Sequence, residues 1–253
     1  LGDIVQFSRY LPLLQDRGAD VGFLVSNRVH KILGASFPGI RFFNDVQQVH
    51  ATSFDFCCAM MSLPLHFKTR LDSIPGDVPY LKSSPERVAH WRSSIGEQGF
   101  KVGICWQGNP FVAIDAGRSF PLEAFAPLAA IPGVRLISLQ KNEGVEQLKQ
   151  CPFAIETLGD EFDAGRDAFA DSLAAMQSLD LIIAPDTSIA HVAGACGRPV
   201  WVALKHVPDW RWMLGREDSP WYPTVRLFRQ TTADDWQDVF LRMRDELGRL
   251  SSA

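Results

Sequence analysis

The stretch that most constrains this chain runs from Asp180 to Trp201. Leu181, Ile182, Ile183 and Ala184 form a short apolar run, the pattern of a strand buried on both faces. Asp186, Thr187 and Ser188 offer three consecutive helix N-caps. Ile189, Val192, Ala193 and Cys196 then recur at helical spacing. Gly197 suits the residue just past a helix, and Pro199 bars continuation. Val200, Trp201 and Val202 open a second strand. Strand, turn, helix, turn and strand make a βαβ unit, which places the chain among the α/β folds with a parallel sheet.

In such a sheet, ligands bind outside the carboxyl ends of the strands. Here that end runs straight into a helix N-terminus, whose free N–H groups and dipole favour an anion. Ala190, Ala193, Gly194 and Ala195 let the helix lie close to a sheet or ligand, and His191 sits one turn in. The plainer reading makes Asp186, Thr187 and Ser188 simple caps and His191 a satisfied, partly buried histidine. On this stretch alone both readings stand.

Composition narrows the partners. The 253 residues suffice for two modest domains, with 46% hydrophobic and 21% charged residues, as in a soluble globular protein. A net charge of −4 leaves no basic surplus for nucleic acid. No apolar run approaches the roughly 18 residues that span a membrane. Five cysteines without a framework spacing predict reduced thiols and a cytoplasmic location. Cys57 and Cys58 lie in an apolar run and read as core. No Cys/His spacing suggests a metal, and no secretory leader is seen. Dinucleotide, Walker A and Gly-x-Ser-x-Gly signatures are missing from the sequence.

Taken in order, the chain predicts a helix from Gly2-Asp3 to Gly18, with Ile4, Phe7, Leu11 and Leu14 on one face. Strands follow at Val21–Val25, Ile40–Phe43 and Phe54–Met60, with a helix over Arg28–Leu33. A Gly-Asp turn into a helix ordinarily follows a strand, so a preceding first strand is expected outside this sequence. Helix Pro85–Ile95 ends at a boundary, Gly96–Gly99. A second α/β series begins at Lys101. Its strands are Val102–Trp106, Val134–Leu139, Phe153–Thr157, the two already described and Val225–Phe228. Its helices are Pro121–Ala130, Gly144–Lys149 and Asp167–Ser178. A final amphipathic helix covers Asp234–Leu250, with Trp236, Val239, Phe240, Met243 and Leu247 on one face. The expected division is residues 1–95, 101–228 and the helix 233–250.

Four groups of residues can carry chemistry. Gly2-Asp3 puts a carboxylate at a helix start, where the dipole stabilises it, though a bare N-cap has the same look. Trp106-Gln107-Gly108-Asn109-Pro110 leaves a strand end and leads to Arg118-Ser119; Arg118 can clamp a phosphate or simply be solvated. Gln140 and Lys141 end another strand and, with Asn109, can meet a nucleotide. Pro208-Asp209-Trp210-Arg211-Trp212 offers rings for stacking, or for packing on the terminal helix.

Together these motifs resemble glycosyltransferase family 9, the heptosyltransferases. The resemblance rests on Asp186, Thr187, Ser188, His191, Arg198 and Pro199, on Gly2-Asp3 with Leu11-Pro12, and on Trp106 to Pro110 with Arg118-Ser119. Ser188 stands where heptosyltransferases usually carry Gly. Of the polar residues their intervening loop often holds, only Asp115 is present in Phe111–Asp115. Pro208–Trp212 and Ser219–Pro223 are closest to family-9-like domains found after tetratricopeptide repeats in bacteria.

The resemblance implies the GT-B fold, two Rossmann-like α/β domains facing a cleft. It implies inverting, metal-independent glycosyl transfer from a nucleotide-diphosphate sugar, with no cofactor. Asp3 would be the catalytic base; Arg118, Asp186, Thr187, Ser188 and His191 would bind the donor's diphosphate. The implied acceptor is a glycan, lipopolysaccharide or protein, and an upstream tetratricopeptide-repeat region is a possible partner. The alternatives are a non-catalytic nucleotide- or glycan-binding domain and a nucleotide-sugar epimerase.

Overall fold

The computed structural model describes residues 1–165 and 169–251. The chain opens with α1 (Gly2–Phe7), a 3₁₀ turn (Ser8–Tyr10) and α2 (Leu11–Asp16) in place of one continuous helix. Pro12 has no N–H to give Ser8, so the ladder tightens and restarts there. Strand β1 (Gly22–Leu24), α3 (Asn27–Ser36) and β2 (Arg41–Phe43) form a small βαβ unit, followed by α4 (Val46–His50), α5 (Leu63–His66) and α6 (Pro85–Ile95).

The second sheet comprises β3 (Phe100–Ile104), β4 (Val134–Ser138), β5 (Leu181–Pro185), β6 (Val200–Leu204) and β7 (Val225–Arg229). Between them run α7 (Ala126–Ala129), α8 (Ala170–Met176) and α9 (Ser188–Ala195), and α10 (Trp236–Ser251) closes the chain. The five strands pair in parallel, in the order β4-β3-β5-β6-β7, with one isolated antiparallel bridge from Asp218 to Arg226 of β7. The direction of winding reverses between β3 and β5, so this is the sheet's switch point.

Alternation along β5 builds two cores. Leu181 and Ile183 join Val102, Ile104, Trp201, Phe125, Phe240 and Met243 under α10. Ile182 and Ala184 face the other way, into a cluster with Ala174, Met176, Val192 and Ala193 of α8 and α9. This second cluster continues without a break into Val5, Phe7, Tyr10, Val29 and Leu33 of the N-terminal half. Gly197, at φ +73°, turns the chain out of α9 as expected.

Several elements depart from the sequence pattern. Phe54–Met60 is not a strand. The first sheet has only β1 and β2, so this run finds no ladder; Phe56 is 94% exposed, and Cys57 and Cys58 are surface residues rather than core. An apolar run becomes a strand only where a neighbour takes its N–H and C=O groups. Phe153–Thr157 reduces to one parallel bridge between Ile137 and Glu156, on the open side of the edge strand β4, where Ser138 N donates to Glu156 O and Glu156 N to Leu136 O. The Pro121–Ala130 helix splits into a 3₁₀ turn (Leu122–Phe125) and α7, with Pro127 removing the bond to Glu123. Val145–Gln150 is 3₁₀, not α. The first residues of the predicted Asp167–Ser178 helix lie outside the described residues. Among the described residues, no helix is long and apolar enough to cross a membrane.

Candidate active site

The loops after β3 and β5 meet at the switch point. After β5 the chain passes Asp186 and enters α9 with Thr187 as its N-cap. Thr187 does not cap with its side chain: its Oγ1 is buried and makes no hydrogen bond. The first N–H groups of α9 have no partner within the helix, as helix geometry requires.

Helix α1 lies directly against α9. A Cβ at Gly2 would stand 2.8 Å from His191 Cδ2 and 3.6 Å from Ser188 Cα, so only glycine permits this approach. Two helix N-termini, one bearing Asp3 and the other Asp186 to Ser188, therefore sit side by side. His191 is 2% exposed beneath them. Its ring stacks on Trp212 at 5.5 Å between centroids, and its Nδ1 lies 3.0 Å from the Tyr222 hydroxyl. Burial, then the charges of Arg211 and Arg9, holds His191 well below the usual imidazole range, so it is neutral. It sits within the protein rather than at the open surface of the site.

Arg211 ties the two helix starts together. Its guanidinium donates to Asp3 Oδ1 at 2.7 Å, Gln6 Oε1 at 2.7 Å and Asp209 Oδ1 at 2.8 Å, and lies 3.5 Å from His191 Nε2. Asp3 and Gln6 are three residues apart on α1 and so share a face. Asp3 remains 46% exposed at its side chain, against 9% for Arg211. Burial pushes the Asp186 carboxyl up, opposed by the Trp212 indole and the charges of Arg211 and Arg118. The Trp212 indole N–H is directed at the Asp186 carboxyl and favours its ionised form, although it makes no close hydrogen bond. Gln6 Nε2 is also buried without a partner. Thr187 Oγ1, Trp212 Nε1 and Gln6 Nε2 are thus three buried polar atoms near the two helix starts whose hydrogen bonds a polar ligand would complete.

The loop after β3 forms a second cluster. Arg118 grips Asp115 Oδ1 through Nε (3.1 Å) and NH2 (2.9 Å). Ser119 Oγ donates to the same carboxylate and accepts from Gly108 N at 2.8 Å. Arg118 is thus aimed across Gly108 by its own loop, and its charge is felt at Asp186. Asn109 Oδ1 accepts from Phe111 N in a local turn. Gln140 is engaged entirely within the fold. Its Oε1 accepts from Trp106 N, Gln107 N and Cys105 Sγ, and its Nε2 donates to Gln107 O and Glu143 O. Lys141 Nζ donates to Phe162 O. So Asp3, Asp186, Thr187, Ser188 and His191 come together, with Arg118 close by, while Gln140, Lys141 and Asn109 serve the surrounding loops. Burial pushes the Cys105 thiol up to about 12, so it is not a thiolate nucleophile.

The sequence singles out Pro208–Trp212 for stacking or packing, not Arg211 and Asp209 as partners of Asp3, and it does not single out Gln6 or Tyr222. The Pro208–Trp212 motif was visible, but its contact with Asp3 spans 208 positions. The spacing of Asp3 and Gln6 was the one local signal, and it has no meaning without the partner they share.

No protein-family model matches the chain. Protein FlbA of Caulobacter vibrioides is 28% identical over 270 residues, covering 98% of this chain and 44% of FlbA. The chain thus spans less than half the length of that relative. Among solved structures, the family 9 glycosyltransferase of Veillonella parvula superposes with a TM-score of 0.63 at 11% identity, over 90% of this chain and 83% of that one. The Escherichia coli ADP-heptose lipopolysaccharide heptosyltransferase II gives 0.56 at 14% identity, over 97% and 80%. The resemblance carried by the motifs is therefore matched in three dimensions: the chain has the α/β GT-B fold of the heptosyltransferases and family 9 glycosyltransferases.

Proposed function

We propose that this chain is a glycosyltransferase that takes a nucleotide-diphosphate sugar, inverts at the anomeric carbon and needs no metal. One observation carries the reading. At the switch point of the second sheet, the start of α9 meets a solvent-accessible carboxylate, Asp3, at the start of α1, among buried polar atoms without partners. The diphosphate would lie at the α9 start, with the free N–H groups and Arg118 opposing its charge as it leaves. Asp3 would take the proton of an acceptor hydroxyl. The oxygen attacks the anomeric carbon, the bond to the diphosphate oxygen breaks, and the nucleoside diphosphate departs; one displacement gives inversion. ADP-heptose, named for the E. coli structural neighbour, is the first donor to try. The acceptor class remains a glycan, lipopolysaccharide or protein, and a tetratricopeptide-repeat region is a proposed companion.

A thermal-shift screen of nucleoside diphosphates and their sugars identifies the donor. With that donor, Asp3→Asn keeps shape but accepts no proton. Transfer then falls by roughly 10²–10⁴, the usual worth of general-base catalysis, while donor affinity stays within about twofold. Unchanged transfer would remove Asp3 from the mechanism. A second reading, binding without turnover, is favoured by the internal pairing of both site arginines, Arg118 with Asp115 and Arg211 with Asp209 and Asp3. Tight donor binding with no transfer to any acceptor class would select it.

A further inference from the structure

We propose that Arg211 is the positioning residue for Asp3, holding one carboxylate oxygen so that the other is presented to the acceptor. This rests on the transferase reading. Nε of Arg211 is fixed by Asp209, whose Oδ1 also receives Arg211's own backbone N–H at 3.1 Å. The backbone around it is pinned as well, since Trp221 Nε1 donates to Arg211 O at 3.1 Å and Trp212 is wholly buried against His191. From this anchored base, NH1 reaches Gln6 and NH2 reaches Asp3 Oδ1. One rigid, planar fork therefore reads two residues on the same face of α1, fixing both the helix's rotation and the rotamer of Asp3. Asp3 Oδ2 makes no hydrogen bond among the described residues, and the side chain is 46% exposed. A buried cation held by Asp209 and Gln6 has little freedom of its own. It transfers that order to a carboxylate that would otherwise swing at the first turn of a short helix.

Arg211 also explains why the last third of the chain completes a site begun at its third residue. The loop between β6 and β7 supplies no reacting group in this scheme. It brings Arg211 onto Asp3 and Gln6 of α1 and Trp212 onto His191 of α9, so that the carboxylate on one helix keeps a set distance from the anion-binding start of the other. For a displacement reaction, that distance is what must hold steady. A misplacement of about 1 Å in reacting groups costs roughly a hundredfold in rate.

The test is a double-mutant cycle in the intact protein, with steady-state kinetics for donor and acceptor and calorimetric donor binding. Arg211→Gln should lower kcat by roughly a hundredfold and leave donor KM and affinity within about threefold. Arg211→Lys keeps the charge among Asp3 and Asp209 but not the fork. It should fold as the parent does and recover only part of kcat, which keeps the inference testable if Arg211→Gln is poorly folded. In the Asp3→Asn background, Arg211→Gln should cost less than about threefold more, because its effect runs through Asp3. Wild-type kcat in Arg211→Gln or in Arg211→Lys, or losses that multiply in the double variant, would overturn the positioning role while leaving the transferase reading intact. Absence of turnover in the wild type with every nucleotide sugar that binds would overturn the transferase reading, and this role with it.

Discussion

Replacing Gly194 by Ala tests the packing beneath the site, and the expected sign is opposite to the usual one. Gly194 lies inside α9, where Ala is ordinarily favoured by about 1 kcal/mol. Its added Cβ would stand 2.6 Å from Tyr222 Cγ, 2.7 Å from Cδ1 and 3.1 Å from Cδ2. Ordinary carbon contacts begin near 3.5 Å, so the ring or the helix must retreat by about 0.9 Å. Neither moves easily. Tyr222 is fully buried, its hydroxyl lies 3.0 Å from His191 Nδ1, and the Arg9 guanidinium sits 4.6 Å over its ring. Overpacking of this kind costs about 1–3 kcal/mol, toward the upper end for a pinned aromatic. After the helix gain, a net loss of about 1–2 kcal/mol remains, or a fall in Tm of roughly 3–6 °C for a chain of this size. Scanning calorimetry would measure it, with Gly34→Ala as the reference. Gly34 is exposed on α3 with nothing within 4 Å of a new Cβ, so there the helix preference acts alone and Tm should rise. If Gly194→Ala also raises Tm, the close approach of α9 to Tyr222 is not a constraint and the argument fails.

Arg118→Ala should weaken nucleoside-diphosphate binding by about 1.5–3 kcal/mol, the scale of a charge-assisted hydrogen bond, while the bare nucleoside is unaffected. Equal losses for the two ligands in calorimetry would exclude a phosphate clamp. Transfer should survive excess chelator, because the α9 start and Arg118 supply positive potential; loss with chelator and recovery with manganese would reverse the metal-independent reading. His191 provides a pH signature. Its folded-state affinity for protons lies well below the ordinary value, owing first to burial. The unfolded chain therefore binds the extra proton first, and stability falls as pH drops below about 6.5, by up to about 1.4 kcal/mol per unit. Arg211, Arg9 and Tyr222 around the ring supply no competing titration in that range, whereas Asp186, raised by burial, acts with the opposite sign. His191→Gln should flatten the fall in Tm between about pH 7 and 5.5; an unchanged slope would show that His191 does not carry it.

The sequence by itself determined the five strands of the second sheet, though not their order and not the single bridge that Phe153–Thr157 makes. The strand at Leu181–Pro185, the helix from Ser188 and the turn at Gly197 follow from local chemistry: a buried apolar run, a helical apolar stripe, a stop residue. Periods of two and 3.6 residues survive folding because they are properties of neighbours along the chain. So are caps and prolines, although two prolines, Pro12 and Pro127, cut their helices more finely than the pattern suggested. What tertiary structure alone decided is which residues meet. Phe54–Met60 has the composition of a strand, but strandedness depends on a partner, and it has none. Gln140 reads as a free polar group at a strand end, yet its amide is shared among five groups of the adjoining loops. His191 reads equally as a ligand contact or as a satisfied, partly buried histidine one turn into α9, and the arrival of α1 at Gly2 buries it. Arg211, 208 positions from Asp3, holds that carboxylate in place. Hydrogen bonds and ion pairs act over a few ångströms of space, not of sequence, so the chain could name the groups of this site but only the closed fold could choose their partners.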